Sequence, residues 1–116
     1  MTQEEKELLL KDLCARLPYG VKVKCASEIL TLNVNWLKVF QYHLDEIKPY
    51  LRPMSSMTED ERKKYDDWHL ELEAGKIKEW KIADYIDWLN AHHFDYRGLI
   101  EKGLALEAPE DMYKTE

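Results

Sequence analysis

Apolar and polar positions along this chain change period twice, near residue 18 and again near residue 58. Leu10, Leu13, Cys14 and Leu17 recur at i, i+3, i+4 and i+7, the spacing of one helix face. Thr2 stands three residues before Glu5, so each side chain can satisfy a free amide at a helix start. A helix over residues 1–17 is predicted, stopped by Pro18 and turned at Pro18-Tyr19-Gly20. In "GVKVKC", Val21, Val23 and Cys25 alternate with Lys22 and Lys24, and in "EILTLNV", Leu30, Leu32 and Val34 alternate with Thr31 and Asn33. That alternation predicts strands with one wet face. "WLKVFQYHL", rich in aromatic and β-branched residues, reads as a third strand, with a hairpin turn at Asn33 to Asn35. Pro49 and Pro53 exclude a regular helix from "DEIKPYLRPMSS" and make it an extended connector or edge strand.

Helical spacing returns after residue 58. Thr58 and Glu61 repeat the capping spacing, Tyr65, Trp68, His69 and Leu72 form a stripe behind them, and Gly75 is placed to stop the helix. A second helix from Trp80 to about His92 carries Ile82, Tyr85, Ile86 and Leu89 on its stripe, with Asp84 and Asp87 facing water. Asp95 suits the N-cap of a short two-turn helix through Tyr96, Leu99 and Ile100 that ends at Gly103. Gly98 inside it costs about 1 kcal/mol relative to alanine, which predicts a close neighbour. The expected fold is α+β, one domain over residues 1–116. It has an N-terminal helix (1–17), an antiparallel meander of about three strands with its connector (20–52), and about three helices packed on it (58–104). A frayed tail (107–116) follows.

Composition narrows the function. A chain of 116 residues buries roughly two thirds of its unfolded surface as one domain. Residues 1–57 hold eight Lys/Arg against seven Asp/Glu, and residues 58–116 hold nine against sixteen, so the net charge of −6 lies in the second half. That balance argues against direct nucleic-acid binding, which needs clustered cations to displace counterions. Cys14 and Cys25, both at apolar positions and not in a CxxC pair, are expected as small buried hydrophobes in a reducing compartment. The acidic N-terminus lacks a signal-peptide pattern, and no apolar run approaches the roughly 20 residues that span a bilayer. A cytoplasmic protein without a membrane partner is expected.

The strings "KDLCARLPYGVK", "IKPYLRPMSSMTEDE" and "HHFDYRGLIEKGLALEAPEDMY" resemble a family of small uncharacterised proteins from gut Bacteroidales genomes, often in prophage or mobile-element neighbourhoods. The resemblance covers more than half the chain. It implies a small cytoplasmic protein of phage origin in the bacterial host, and supplies no activity and no catalytic residues. Family members vary most between "GVK" and "KPYLRP", which leaves the number of strands open.

Candidate chemistry concentrates in "HHFDYRG". His93 and Asp95, joined by His69, are ligand types for a first-row metal, and such a trio would make a small metal-dependent hydrolase. Against it, adjacent helical residues such as His92 and His93 point about 100° apart, and Asp95 already serves as a cap. His93 extends the Leu89 stripe to a helix end, where the dipole favours its charged form. His69 reads more simply as a buried histidine bonded to a neighbour such as Asp66, and His43 has no ligand-like company. Arg97, in the first turn of the short helix, is poorly placed for a cation, which predicts a carboxylate partner or a contact with another protein. Lys48, Tyr50 and Arg52 alternate along the connector as a basic edge or a solvated one.

No phosphate-binding glycine loop, paired-cysteine zinc pattern or nucleophile elbow is present, so no cofactor is expected and an enzyme is disfavoured. Of the four tryptophans, Trp36, Trp68, Trp80 and Trp88, Trp68 belongs to a core stripe. Trp80 and Trp88 lie off the Ile82/Ile86 face beside Asp84 and Asp87, a surface suited to a protein partner unless another element covers it. The expected function is a non-enzymatic, protein-binding accessory protein of a phage or mobile element. The alternatives are an acidic nucleic-acid mimic that inhibits a host defence or transcription protein, and the hydrolase using His69, His93 and Asp95. Oligomeric state is open.

Overall fold

A computed structural model describes residues 1–113 of the chain. The fold is α+β, as expected: four helices and a four-stranded mixed sheet. Helix α1 (Gln3–Arg16) leads through a 3₁₀ turn (Leu17–Tyr19) into the hairpin of β1 (Lys22–Cys25) and β2 (Glu28–Thr31). Then come α2 (Val34–Phe40), β3 (Ile47–Leu51), α3 (Glu59–Glu73), α4 (Glu79–Ala91) and a two-residue β4 (Leu106–Glu107). The strand order is β2-β1-β3-β4, antiparallel except for the parallel β3–β4 pair. Both predicted capping boxes form, Thr2 with Glu5 and Thr58 with Glu61. Gly75, at φ +67°, follows the end of α3 as predicted.

Several expectations are corrected. "WLKVFQYHL" is not a strand: Asn33 caps α2 by accepting from the Trp36 amide at 2.8 Å, so the asparagine read as a hairpin turn starts a helix. Leu37 and Phe40, at i and i+3 on α2, face the core, and this helical spacing outweighs β-branched content. The hairpin turn lies instead at Ala26-Ser27, with Ala26 at φ 56°. The "KPYLRP" segment is neither a connector nor an edge, because β3 sits between β1 and β4. Pro49 is tolerated there because it forms a non-hydrogen-bonded pair with Val23, and β4 begins opposite Tyr50, so no neighbour needs its missing amide hydrogen.

The third C-terminal helix does not form. Asp95 does receive the amides of Leu99 (2.8 Å) and Ile100 (2.9 Å), but the residues between turn rather than coil. Gly98 adopts φ +74° with nothing within 4 Å of where its Cβ would be, so a left-handed backbone, not a close neighbour, requires glycine. The buried face of α1 is also rotated from the predicted one. It comprises Leu9, Asp12, Leu13 and Arg16, and Cys14 is exposed while Cys25 is only partly covered. The core combines α1, the sheet and the segment after α4: Leu9, Leu13, Val21, Val23, Leu32, Phe40, Leu44, Ile47, Leu51, Leu99, Leu104 and Ala105. Part of the tail read as frayed is packed, since β4 reaches into it at Glu107 and Tyr113 is partly buried; its residues 114–116 lie outside the described residues. Among the described residues no helix is long and apolar enough to cross a membrane.

Candidate functional site

The geometry of "HHFDYRG" follows from β3. Beyond Leu51, the Arg52 amide donates to the His93 carbonyl (2.8 Å) and the Asp95 amide donates to the Arg52 carbonyl (2.8 Å). The chain leaving α4 thus takes the place beside β3 that β1 vacates. To make this turn His93 adopts φ 60°, uncommon for a residue with a side chain. Its ring is buried and stacks on Tyr113 at 3.8 Å between centroids. Burial first, then the nearby Arg16 charge, push its pKa from 6.5 to about 4, so His93 is neutral at physiological pH. The charged form expected from the helix dipole is not what the site favours.

Tyr113 completes this corner. One step beyond the Val23–Pro49 pair, Lys22 and Tyr50 stand opposite each other. The Tyr113 hydroxyl accepts from the Lys22 amide (2.8 Å) and donates to the Tyr50 carbonyl (2.7 Å), joining β1 to β3 where their ladder ends. Burial pushes its pKa up to about 12.

Two charge clusters flank the segment. In the first, fully buried Asp12 accepts from Arg16 Nε (2.9 Å) and from Arg97 Nη1 (2.7 Å). Arg97 therefore has the carboxylate partner expected for it, from α1 rather than the acidic second half. Arg16 also donates to the Phe94 carbonyl (2.6 Å), while its Nη1 has no hydrogen-bond partner among the described residues. In the second, Glu61 accepts both Nη atoms of Arg52 (3.0 and 2.7 Å), and its Oε2 lies 3.2 Å from His92 Nδ1. The Arg52 hydrogen bond above all holds Glu61 down to a pKa of about 2. Burial lowers the pKa of His92, with Glu61 pulling the other way.

Arg52, Glu61, His92 and Tyr113 line a cleft of about 560 Å³, with Glu107 and Glu110 at its edge. Its three hydroxyl side chains are locally engaged, Ser56 donating to the Pro53 carbonyl (2.7 Å), Thr58 accepting the Glu61 amide (3.2 Å) and Tyr113 bridging Lys22 and Tyr50. His92 and Glu61 form an oriented imidazole–carboxylate pair, and among the described residues no nucleophile is set against it. The Arg52 guanidinium lies 4.3 Å above the Phe94 ring. From Phe94 a run of ring contacts continues through Trp88 (5.5 Å), Trp68 (5.4 Å) and Tyr85 (5.4 Å) to Tyr65 (5.9 Å), tying α3 and α4 to the end of the sheet.

The hydrolase candidates do not converge. His69 pairs with the Tyr65 hydroxyl at 3.1 Å rather than with Asp66, His93 lies on Tyr113, and Asp95 holds two backbone amides. Among the described residues no three His, Cys, Asp or Glu side chains come together as a metal site. The residues singled out for protein binding divide. Trp80, 60 % exposed, shares the outer face of α4 with exposed Asp84 and Asp87 at i, i+4 and i+7. Trp88 turns inward to Trp68 and Phe94, and Arg97 to Asp12. Sequence reading gave no site role to Asp12, Arg16, Glu61 or Tyr113 and left His92 unexplained. The i, i+4 spacing of Asp12 and Arg16 was a usable signal, whereas nothing local marks Tyr113. No family model, curated protein or solved structure matches this chain.

Proposed function

We propose that the chain is a non-enzymatic, protein-binding protein that acts through the outer surface of the α3–α4 hairpin. One observation carries this: no residue of α3 is buried, while the hairpin leaves large apolar side chains in water. Leu70 is 65 % exposed, Trp80 nearly as much, and Leu72, Ile82 and Ile86 are also open. Trp80 stands on one face of α4 and Ile82 and Ile86 on another, and large apolar groups left in water on two paired helices suit contact with another protein. Asp84 and Asp87 flank Trp80 and make no ion pair among the described residues. They suit a partner that presents Lys or Arg beside apolar side chains. The assignment to a phage or mobile element in a bacterial cytoplasm rests on the sequence strings alone.

Affinity capture from a host extract tests the reading, with the wild-type chain and a Trp80→Ala, Ile86→Asp variant side by side. A protein retained by the wild type and lost by the folded variant is the expected result. Equal retention by both, or none by either, overturns it. The exposed aspartates also keep an acidic nucleic-acid mimic as a second reading, for which a captured nucleic-acid-binding protein would be released by competing polyanion.

A further inference from the structure

The face of the sheet that points away from α1 is basic, in a chain that is acidic as a whole. Alternation along β1 and β3 sends Val23, Ile47 and Leu51 into the core with Leu9 and Leu13 of α1, and so sends Lys22, Lys24, Lys48 and Tyr50 to the outer face. The register places Lys24 directly opposite Lys48, and both are exposed. Residues facing each other in an antiparallel pair stand with their Cβ atoms about 5 Å apart, and like charges so placed destabilise a sheet. Lys22 lies two residues along β1, about 7 Å from Lys24, and its ammonium donates to Thr31 Oγ1 at 3.2 Å. Among the described residues none of these three lysines makes an ion pair. The acids nearest to them in sequence are turned elsewhere: Glu28 shares the inner side with Leu30, and Glu46 is bonded by His43 at 3.0 Å. A chain with 23 acidic side chains thus leaves two facing lysines without a counter-ion among the described residues. Arg52, read from the sequence with Lys48 and Tyr50 as one basic edge, is neutralised by Glu61, so the free charge belongs to the lysines. Ile29, opposite Lys24 and 53 % exposed, and half-buried Tyr50 add apolar surface beside them.

We infer that the outer face of the sheet is a docking surface for a short acidic segment of another protein, which lies extended along β1 and sets its carboxylates against Lys22, Lys24 and Lys48. Charge selects this occupant, because carboxylates supply the counter-ions that the chain itself does not. Spacing agrees with it. In an extended segment every second side chain points the same way, about 7 Å apart, which is the repeat from Lys22 to Lys24. Ile29 and Tyr50 are placed to meet the uncharged side chains of the same segment, while the lysines steer its approach and fix its register. Nucleic acid fits this face less well. The three lysines contribute +3 to a net charge of −6, so the rest of the chain carries −9. A polyanion longer than the patch runs into that negative field, whereas a segment with two or three carboxylates ends within the patch. A small anion would find no enclosure on an open sheet face. The surface is separate from the outer side of the α3–α4 hairpin, and neither reading depends on the other.

Fluorescence anisotropy of a short labelled peptide of alternating Glu and Thr, titrated with the full chain, tests this. Saturable binding is expected at low salt, weakening about tenfold as ionic strength rises from about 0.01 M to 0.15 M and the screening length falls from about 30 Å to 8 Å. Lys24→Glu and Lys48→Glu should each weaken it about tenfold. Lys11→Glu makes the same change of charge at an exposed position of α1, across the molecule from this face, and should alter binding by less than about twofold. Each sheet substitution removes a like-charge contact, so circular dichroism should be unchanged and the denaturation midpoint equal to that of the wild type or higher. The inference is overturned if no saturable binding is seen at up to about 1 mM, or if Lys11→Glu and Lys24→Glu weaken it equally. Tighter binding of an oligothymidylate of the same charge would also overturn it, by assigning the face to phosphates.

Discussion

The sheet-and-α1 body and the α3–α4 hairpin solve opposite problems. The body hides more than its apolar side chains: it takes Asp12 and Arg16 out of water completely and covers His93 and Asp95. The hairpin hides almost nothing, with no buried residue in α3 and only Leu89 and Asn90 in α4, both at its attached end. Along the stripe Ile82, Ile86 and Leu89, only Leu89, nearest the body, is buried. Helices with so little burial depend on the capping box of α3 and on ring contacts between the two helices such as Trp68 with Trp88 and Tyr85. Ions in the body are structural necessities, whereas apolar groups on the hairpin are free to meet something else. The same residue types therefore carry different meanings in the two regions.

The sharpest way to break this comparison is at Asp12. Asp12→Ala leaves the Arg16 and Arg97 guanidinium groups facing each other without a counter-ion, and breaking such a buried set costs about 3–5 kcal/mol. Urea denaturation should show a loss in that range, or a chain that no longer folds; a loss under about 1 kcal/mol would mean that water reaches the cluster. Next in size is an effect of pH. His93 stays neutral in the folded chain to about pH 4, while the unfolded chain takes up its proton below about 6.5. The unfolded state holds the extra proton in that window, so stability is flat above it and falls as pH drops through it, by about 2 kcal/mol between pH 7 and pH 5. His93→Asn, which tolerates the positive φ, should remove most of that slope in denaturation series at the two pH values. Glu61, with its pKa near 2, adds a separate decline only below about 4.5.

What could be read from the sequence divides along the same line. The hairpin was readable because its determinants are local: the Thr58–Glu61 box, the Gly75 stop and the 3.6-residue stripes lie within one or two turns of what they control. The body was less so. β3 carries a proline that looks like an edge signal, and only the register against Val23 shows why an interior strand accepts it. α2 is rich in strand-forming residues, but an asparagine cap and core contacts decide for helix. The sequence pattern points Cys14 inward, whereas the helix buries Asp12 and Arg16, which neutralise each other, and leaves Cys14 exposed. His92 had no visible partner because Glu61 is 31 residues away in sequence, and Tyr113 had none because Lys22 is 91 residues away.

A smaller effect tests whether the body extends to the C-terminal segment. Tyr113→Phe keeps the ring on His93 but removes the hydroxyl between Lys22 and Tyr50, leaving a covered amide and carbonyl to find water. A loss of about 1–2 kcal/mol is expected, with faster hydrogen exchange at the Lys22 amide; no change in that amide would show that the segment merely lies against the sheet.

The smallest expected stability change carries the functional weight. Trp80 is largely exposed, with the Lys81 ammonium 5.9 Å from its ring centroid, so Trp80→Ala should shift stability by no more than about 0.5 kcal/mol. Removing a large exposed ring can even favour the folded chain in isolation. The comparison then turns on the ratio of two effects measured on one variant. A neutral stability change with loss of the captured partner places Trp80 in the contact. A cost of 2 kcal/mol or more, the size of a buried side chain, would mean that the hairpin has a hidden core of its own and that its exposed face is only the outside of that core.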